Sequence, residues 1–148
     1  MKVSPATRRK ARHFGMQALY QWQMTGASLN EIEAEFCVDN DMTHTDTDYF
    51  HALVHEIPSK VTELDELYAP YLQERSVKEL DPITLALLRL ATYEFVYRID
   101  VPYKVVINEA VSLAKKFGAT DSYKFINGVL DKLSVNARAL EVSAEKKR

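Results

Sequence analysis

DPITLALLRLATYEFVY, residues 81–97, is the stretch that decides the fold. Asp81 followed by Pro82 is an N-cap with proline at the first helical position, so a helix opens there. Ile83, Leu87, Leu90, Ala91, Glu94 and Tyr97 then fall on one line at helical spacing, with Leu88 and Phe95 beside it. So broad an apolar surface leaves little of the helix for water and places it through the middle of a helical bundle.

Toward the C-terminus, Asp100-Val101-Pro102 imposes a short extended connection, because a residue before proline avoids the helical region. A sixth helix follows through Val105, Val106, Ala110, Leu113, Ala114 and Phe117, closed by Gly118. The last runs from about Asp121 to Leu133 with Phe125, Ile126, Val129 and Leu130 inward. Toward the N-terminus, Pro58 separates a third helix (Tyr49, Phe50, Leu53, Val54, Ile57) from a fourth (Val61, Leu64, Leu67, Tyr68) that stops before Pro70. Residues 38–48 are polar and aperiodic and read as a loop. Ser28 with Glu31 reads as a capping box opening a second helix, whose inward face is Leu29, Ile32 and Phe36. Ser4-Pro5 opens the first, whose stripe is Ala11, Phe14, Ala18, Leu19 and Trp22, and Gly26 is its left-handed cap.

No segment alternates as a strand does; Val105-Val106-Ile107 is β-branched, but the helical spacing continues past it. The fold class is all-α, a compact bundle of six to seven helices. Residues 1–135 make one domain. Residues 136–148 turn polar and charged, ending Glu-Lys-Lys-Arg, and read as a disordered tail.

Composition supports this reading. Of 148 residues 47% are hydrophobic, and 4 glycines and 5 prolines are too few for a turn-rich β fold. The single cysteine, Cys37, cannot form an internal disulfide and reads as a small half-buried hydrophobe in a reducing, cytoplasmic setting. No run reaches the length of about 20 apolar residues that a membrane span needs, and Met-Lys-Val-Ser-Pro lacks the apolar core of a signal peptide.

Enzyme chemistry is missing from the pattern. There is no phosphate-cradling glycine loop, no dinucleotide fingerprint and no Cys-x-x-Cys pair, so neither catalysis nor a cofactor is expected. His51 and His55 stand four apart beside Glu56, but no third ligand appears at a fixed spacing; they read as two exposed helix-surface histidines, with no metal expected. Glu94 and Glu109 sit among apolar residues and read as charges paired with a basic neighbour such as Arg89, Arg98 or Lys104.

Binding chemistry is present. The formal net charge is −2, yet Lys2, Arg8, Arg9, Lys10 and Arg12 crowd the first dozen residues without one carboxylate, while residues 31–66 are strongly acidic. Positive charge at a helix start opposes the helix dipole, so the cluster points to a polyanion, a phosphate backbone above all. Residues 117–127, FGATDSYKFIN, place N–H groups, hydroxyls, an amide, a cation and aromatic rings around a glycine turn, a mixture suited to single-stranded RNA.

The same residues carry a resemblance. DVPYKVVINEAVSLAKKFGA, residues 100–119, followed by KFINGVLD at 124–131, resembles the signature of the transcription antitermination family NusB. So do Arg8-Arg9-Lys10-Ala11-Arg12, Gln17-Ala18-Leu19-Tyr20-Gln21-Trp22, and Leu88-Arg89-Leu90-Ala91 with Tyr93-Glu94; the likeness spans residues 6 to 133. It implies two small helical bundles packed together. It also implies binding to the boxA element of ribosomal RNA leader transcripts in a heterodimer with NusE, a ribosomal protein, within an RNA polymerase antitermination complex. On that resemblance Arg8, Arg9, Lys10 and Arg12, with Lys2 in the same cluster, hold phosphates. Tyr20 lies near RNA and partner, and Asp121, Ser122, Lys124, Phe125 and Asn127 approach the bases. The NusE surface includes Glu94 and exposed neighbours on the central helix. Lys10 stands where arginine is common, which keeps the charge and loses the planar fork. Two other readings compete. One is an accessory domain like that at the front of some RNA cytosine methyltransferases, although no methyl-donor site or catalytic Cys motif is present. The other is a self-associating helical protein, a homodimer that hides its RNA surface.

Overall fold

The computed structural model describes residues 3–147, and the described residues form only helices and their connections. There are eight α-helices and two short 3-10 turns among them. They group into two helical units, one up to Lys60 and one from Val61 onward.

The first unit holds α1 (Pro5–Thr25), α2 (Leu29–Asp39) and α3 (Thr47–Ser59). Ser4 and Thr7 cap α1 reciprocally: the Thr7 N–H donates to Ser4 Oγ at 3.1 Å, and the Ser4 N–H donates to Thr7 Oγ1 at 3.0 Å. Gly26 ends it at φ 66°, its N–H reaching Trp22 O, because only glycine adopts that left-handed turn without cost. The expected capping box of α2 does not form; Ser28 makes no side-chain cap bond. Asp46 caps α3 through the Tyr49 N–H at 3.0 Å.

Phe14, Phe36 and Phe50, one from each helix, meet with ring centroids 6.0–6.4 Å apart and form the centre of this unit. Gly15 permits the close approach of α1 and α3, since a Cβ there would lie 2.9 Å from Leu53 Cδ1. Glu33 ties α2 to α3: its carboxylate accepts from His51 Nδ1 at 2.6 Å and His55 Nε2 at 2.8 Å. Cys37 is exposed rather than half-buried, because α2 buries only Ile32.

The second unit holds α4 (Val61–Tyr68), α5 (Pro82–Tyr97), α6 (Tyr103–Phe117), α7 (Ser122–Ala137) and α8 (Ala139–Lys146). As its composition predicts, α5 is buried on most of its surface, from Thr84 through Phe95, and packs against α4, α6 and α7. Asp65 of α4 takes both Nε and Nη2 of Arg89 on α5, at 3.0 and 2.9 Å, and accepts the Tyr68 hydroxyl at 2.6 Å. Such a two-pronged pair fixes the register of the two helices.

Beyond Val135 the chain departs from the tail read in the sequence. It stays helical through α8, with Val142 buried. The reason is polar as well as apolar. Arg138, 6% exposed, donates Nε to Phe95 O at 2.7 Å and Nη2 to Glu94 O and Arg98 O at 3.1 Å each. Glu94 O and Arg98 O also accept the N–H groups of Arg98 and Val101, so Arg138 serves Phe95 O and adds a second donor to the other two at the end of α5. Glu141 accepts the Tyr103 N–H at 2.8 Å, serving the start of α6 where Pro102 has no capping side chain. No helix among the described residues is long and apolar enough to cross a membrane.

Candidate nucleic-acid interface

The basic cluster begins where α1 begins, and its first turn carries no acidic residue. Helix geometry divides its members. Arg9 and Lys10 are exposed to solvent. Arg8 lies over Tyr49 of α3, its guanidinium 4.7 Å from the ring centroid and its Nε 3.8 Å from Asp46 Oδ2. Arg12 sits 5.6 Å from the same ring and is 3% exposed. Four positive residues within five positions therefore do two jobs. Arg8 and Arg12 flank Tyr49, whose aromatic face meets both guanidinium groups while Asp46 lies beside Arg8, and Arg9 and Lys10 meet the solvent. The expectation that Arg12 holds a phosphate is corrected accordingly: a buried guanidinium presents no donors outward. Lys2 lies outside the described residues. Tyr20, 38% exposed, follows Arg9 on nearly the same line of α1, about three turns on.

The second group of candidates surrounds the α6–α7 junction. Gly118 is extended rather than left-handed, at φ −86°. Glycine is required there for closeness: a Cβ would meet the Ser122 Oγ and lie 2.7 Å from Ala114 O. The left-handed residue of the turn is Asp121, at φ 69°. Its carboxylate makes no cap bond and lies 3.5 Å from Lys124 Nζ, both side chains being about two-thirds exposed. The Ser122 Oγ is buried without a hydrogen-bond partner. Asn127 is exposed one turn into α7, and Phe125 is half-buried.

Three residues outside the sequence-derived set complete this region. The Arg75 guanidinium lies 4.5 Å from the Phe125 ring centroid, and the Lys115 Nζ lies 4.7 Å from that of Tyr123, which Lys124 also approaches at 6.0 Å. Cations resting on exposed or half-exposed rings are an arrangement that stacks bases and holds phosphates together. Lys115 was legible as half of a Lys-Lys pair ending α6, and Tyr123 as a ring inside the quoted turn. Arg75 was not, since it comes from a connection far off in sequence.

The expected partner residue Glu94 is 0% exposed. Its place on the apolar line of α5 is real, and that is why it cannot touch another protein directly. The exposed apolar side chains at that end of the helix are Val96, Tyr97 and Ile99, the last 77% exposed.

The sequence model of the NusB family matches residues 9–135 of this chain. The chain belongs to the NusB family. Similarity extends over nearly the full length of curated members: it is 60% identical to the transcription antitermination protein NusB of Teredinibacter turnerae, covering 97% of this chain and 98% of that one. It is 59% identical to the protein of the same name from Saccharophagus degradans, covering 97% and 96%. In structure it resembles NusB of T. maritima with a TM-score of 0.78 at 29% identity, covering 92% of this chain and 94% of that one. The all-helical bundle read from residues 81–97 outward and the NusB fold implied by the resemblance are thus both present, with α8 bringing the helix count above the expected six to seven.

Proposed function

We propose that this NusB-family protein is an antitermination factor that binds boxA-type single-stranded RNA of ribosomal RNA leader transcripts together with NusE. It acts by binding rather than catalysis, in the cytoplasm where transcripts emerge. The observation that carries the reading is the start of α1, where Arg9 and Lys10 face solvent in a turn without carboxylates. Cations at a helix N-terminus oppose the helix dipole, and a polyanion bound there offsets that cost. Lys115, Lys124 and Arg75 supply further positive charge for phosphates, while Tyr123 and Phe125 offer rings to bases and Asn127 an amide to base edges. Arg8 and Arg12 support the surface through Tyr49. NusE meets the exposed end of α5, through Val96, Tyr97 and Ile99, with Tyr20 a further point of attachment.

Fluorescence anisotropy with a labelled boxA RNA, with and without NusE, across a salt series tests this. NusE should tighten binding, and removing one phosphate-binding cation should flatten the log–log salt slope by about 0.7. Arg9→Ala with Lys10→Ala should therefore flatten it by about 1.4. Absence of binding in a folded protein with NusE present overturns the proposal.

A further inference from the structure

Glu33, His51 and His55 come from two helices and converge on one point. The histidines are one turn apart on α3, their rings 4.3 Å between centroids and tilted by 37°. Glu33 reaches them from α2 with one carboxylate oxygen for each ring. One ligand atom from each residue lies within 4.8 Å of the others. His51 is 61% exposed along its side chain, against 25% for His55 and 21% for Glu33, so the site has an open side.

We propose that these three residues bind one divalent transition-metal ion, Zn2+ in the first instance, and that the ion fastens α2 to α3. Two imidazole nitrogens and one carboxylate oxygen form a donor set that suits Zn2+, Ni2+ or Cu2+ and not Mg2+ or Ca2+, which take oxygens. Tetrahedral bonds of about 2.0–2.2 Å separate ligand atoms by roughly 3.3 Å. The contacts at 2.6 and 2.8 Å must open by about half an ångström to admit the ion. Rotation of the exposed His51 ring opens the first contact and a small shift of the Glu33 carboxylate the second, and water fills the fourth position. Each ring exchanges an N–H···O bond for a metal bond. A neutral ring does so by carrying its proton on the other nitrogen, and a protonated one by releasing it to solvent.

The placement has a structural consequence. α2 buries only Ile32 fully and half-buries Phe36 against Phe14 and Phe50, so few side chains hold it. A metal bridging Glu33 to α3 adds a bond where packing is thinnest. Cys37, exposed one turn beyond Glu33 on α2, is the competing metal-binding group that the test must separate.

The test is a titration of metal-free full-length protein with Zn2+ alone, read by calorimetry, by thermal unfolding and by the imidazole NMR signals. Binding of one ion per chain is expected, raising the unfolding temperature reversibly with a chelator and displacing the ring signals of His51 and His55 but not His44. His51→Ala, His55→Ala and Glu33→Gln should each weaken binding by at least about tenfold, while His44→Ala and Cys37→Ser leave it intact. The ring signals of the unaltered protein decide the matter even if a variant folds poorly. No saturable binding, undisturbed His51 and His55 signals, or a loss of binding confined to Cys37→Ser overturns the proposal and leaves the triad a hydrogen-bonded tie.

Discussion

At the scale of single residues, Asp121 combines a backbone role with an electrostatic one. Its left-handed φ of 69° suits aspartate and asparagine better than most side chains, and its carboxylate sits beside Lys124. On the proposed RNA surface that carboxylate repels phosphate and occupies a lysine. Asp121→Asn keeps the turn and removes the charge, so affinity for boxA RNA without NusE should rise by a few-fold. Anisotropy measured at one low salt concentration shows it, and unchanged affinity in a folded variant rules out a moderating role.

Tyr68 carries a prediction of another kind. It is fully buried, and burial, followed by the hydrogen bond and negative charge of Asp65, holds its phenol well above the usual tyrosine value. A raised folded-state value means that the unfolded chain loses this proton first. Above about pH 10 the unfolded state therefore binds fewer protons and stability falls as pH rises. At neutral pH Tyr68→Phe should cost about 1 kcal/mol by removing the hydrogen bond. In urea melts that deficit should shrink above about pH 10, where ionisation of unfolded Tyr68 destabilises only the wild type. A deficit of equal size at both pH values contradicts the assignment. Of the residue-scale features, Gly26 and the Ser4 cap were legible in the sequence because their partners lie within four residues. The burial of Arg12 was not, since it depends on what packs over it.

At the scale of elements, α8 shows where charge pattern misleads. Residues 136–148 have the composition of a solvated tail, yet Arg138 closes the end of α5 and Glu141 the start of α6. Arg138→Ala takes the Arg138 donor from Phe95 O and the second donor from Glu94 O and Arg98 O, and should cost about 1–3 kcal/mol. Removal of residues 136–148 should cost at least as much, whereas a dispensable tail predicts no change. Chemical denaturation of the two variants beside the full chain distinguishes these outcomes. The other helices were readable because each carries its own apolar period, with local signals such as Gly26, Pro82 and Gly118 at helix ends; Pro58, read as the break before the fourth helix, lies inside α3 one residue before its end. α8 has one buried apolar residue, Val142, and no such period.

At the scale of the whole molecule, the proposed function divides between charge that meets RNA and apolar surface that meets protein. A net charge of −2 conceals the first, because the acidic run at residues 31–66 offsets the basic start. Ile99 represents the second. Ile99→Asp should weaken NusE binding by at least about tenfold, or about 1.4 kcal/mol, while leaving the affinity for RNA alone unchanged. Calorimetry with NusE and anisotropy with RNA read the two separately, and an equal loss in both would remove Ile99 from the partner surface. The sequence by itself determined the all-helical class, the central place of residues 81–97 and membership of the NusB family, because helical period, caps and ordered motifs are local or linear properties. Only the tertiary structure decided which arginines of α1 face solvent, that Arg75 covers Phe125, and that Glu33 meets two histidines. Each of those depends on side chains brought together from separate helices or connections, and no spacing along the chain records such distances.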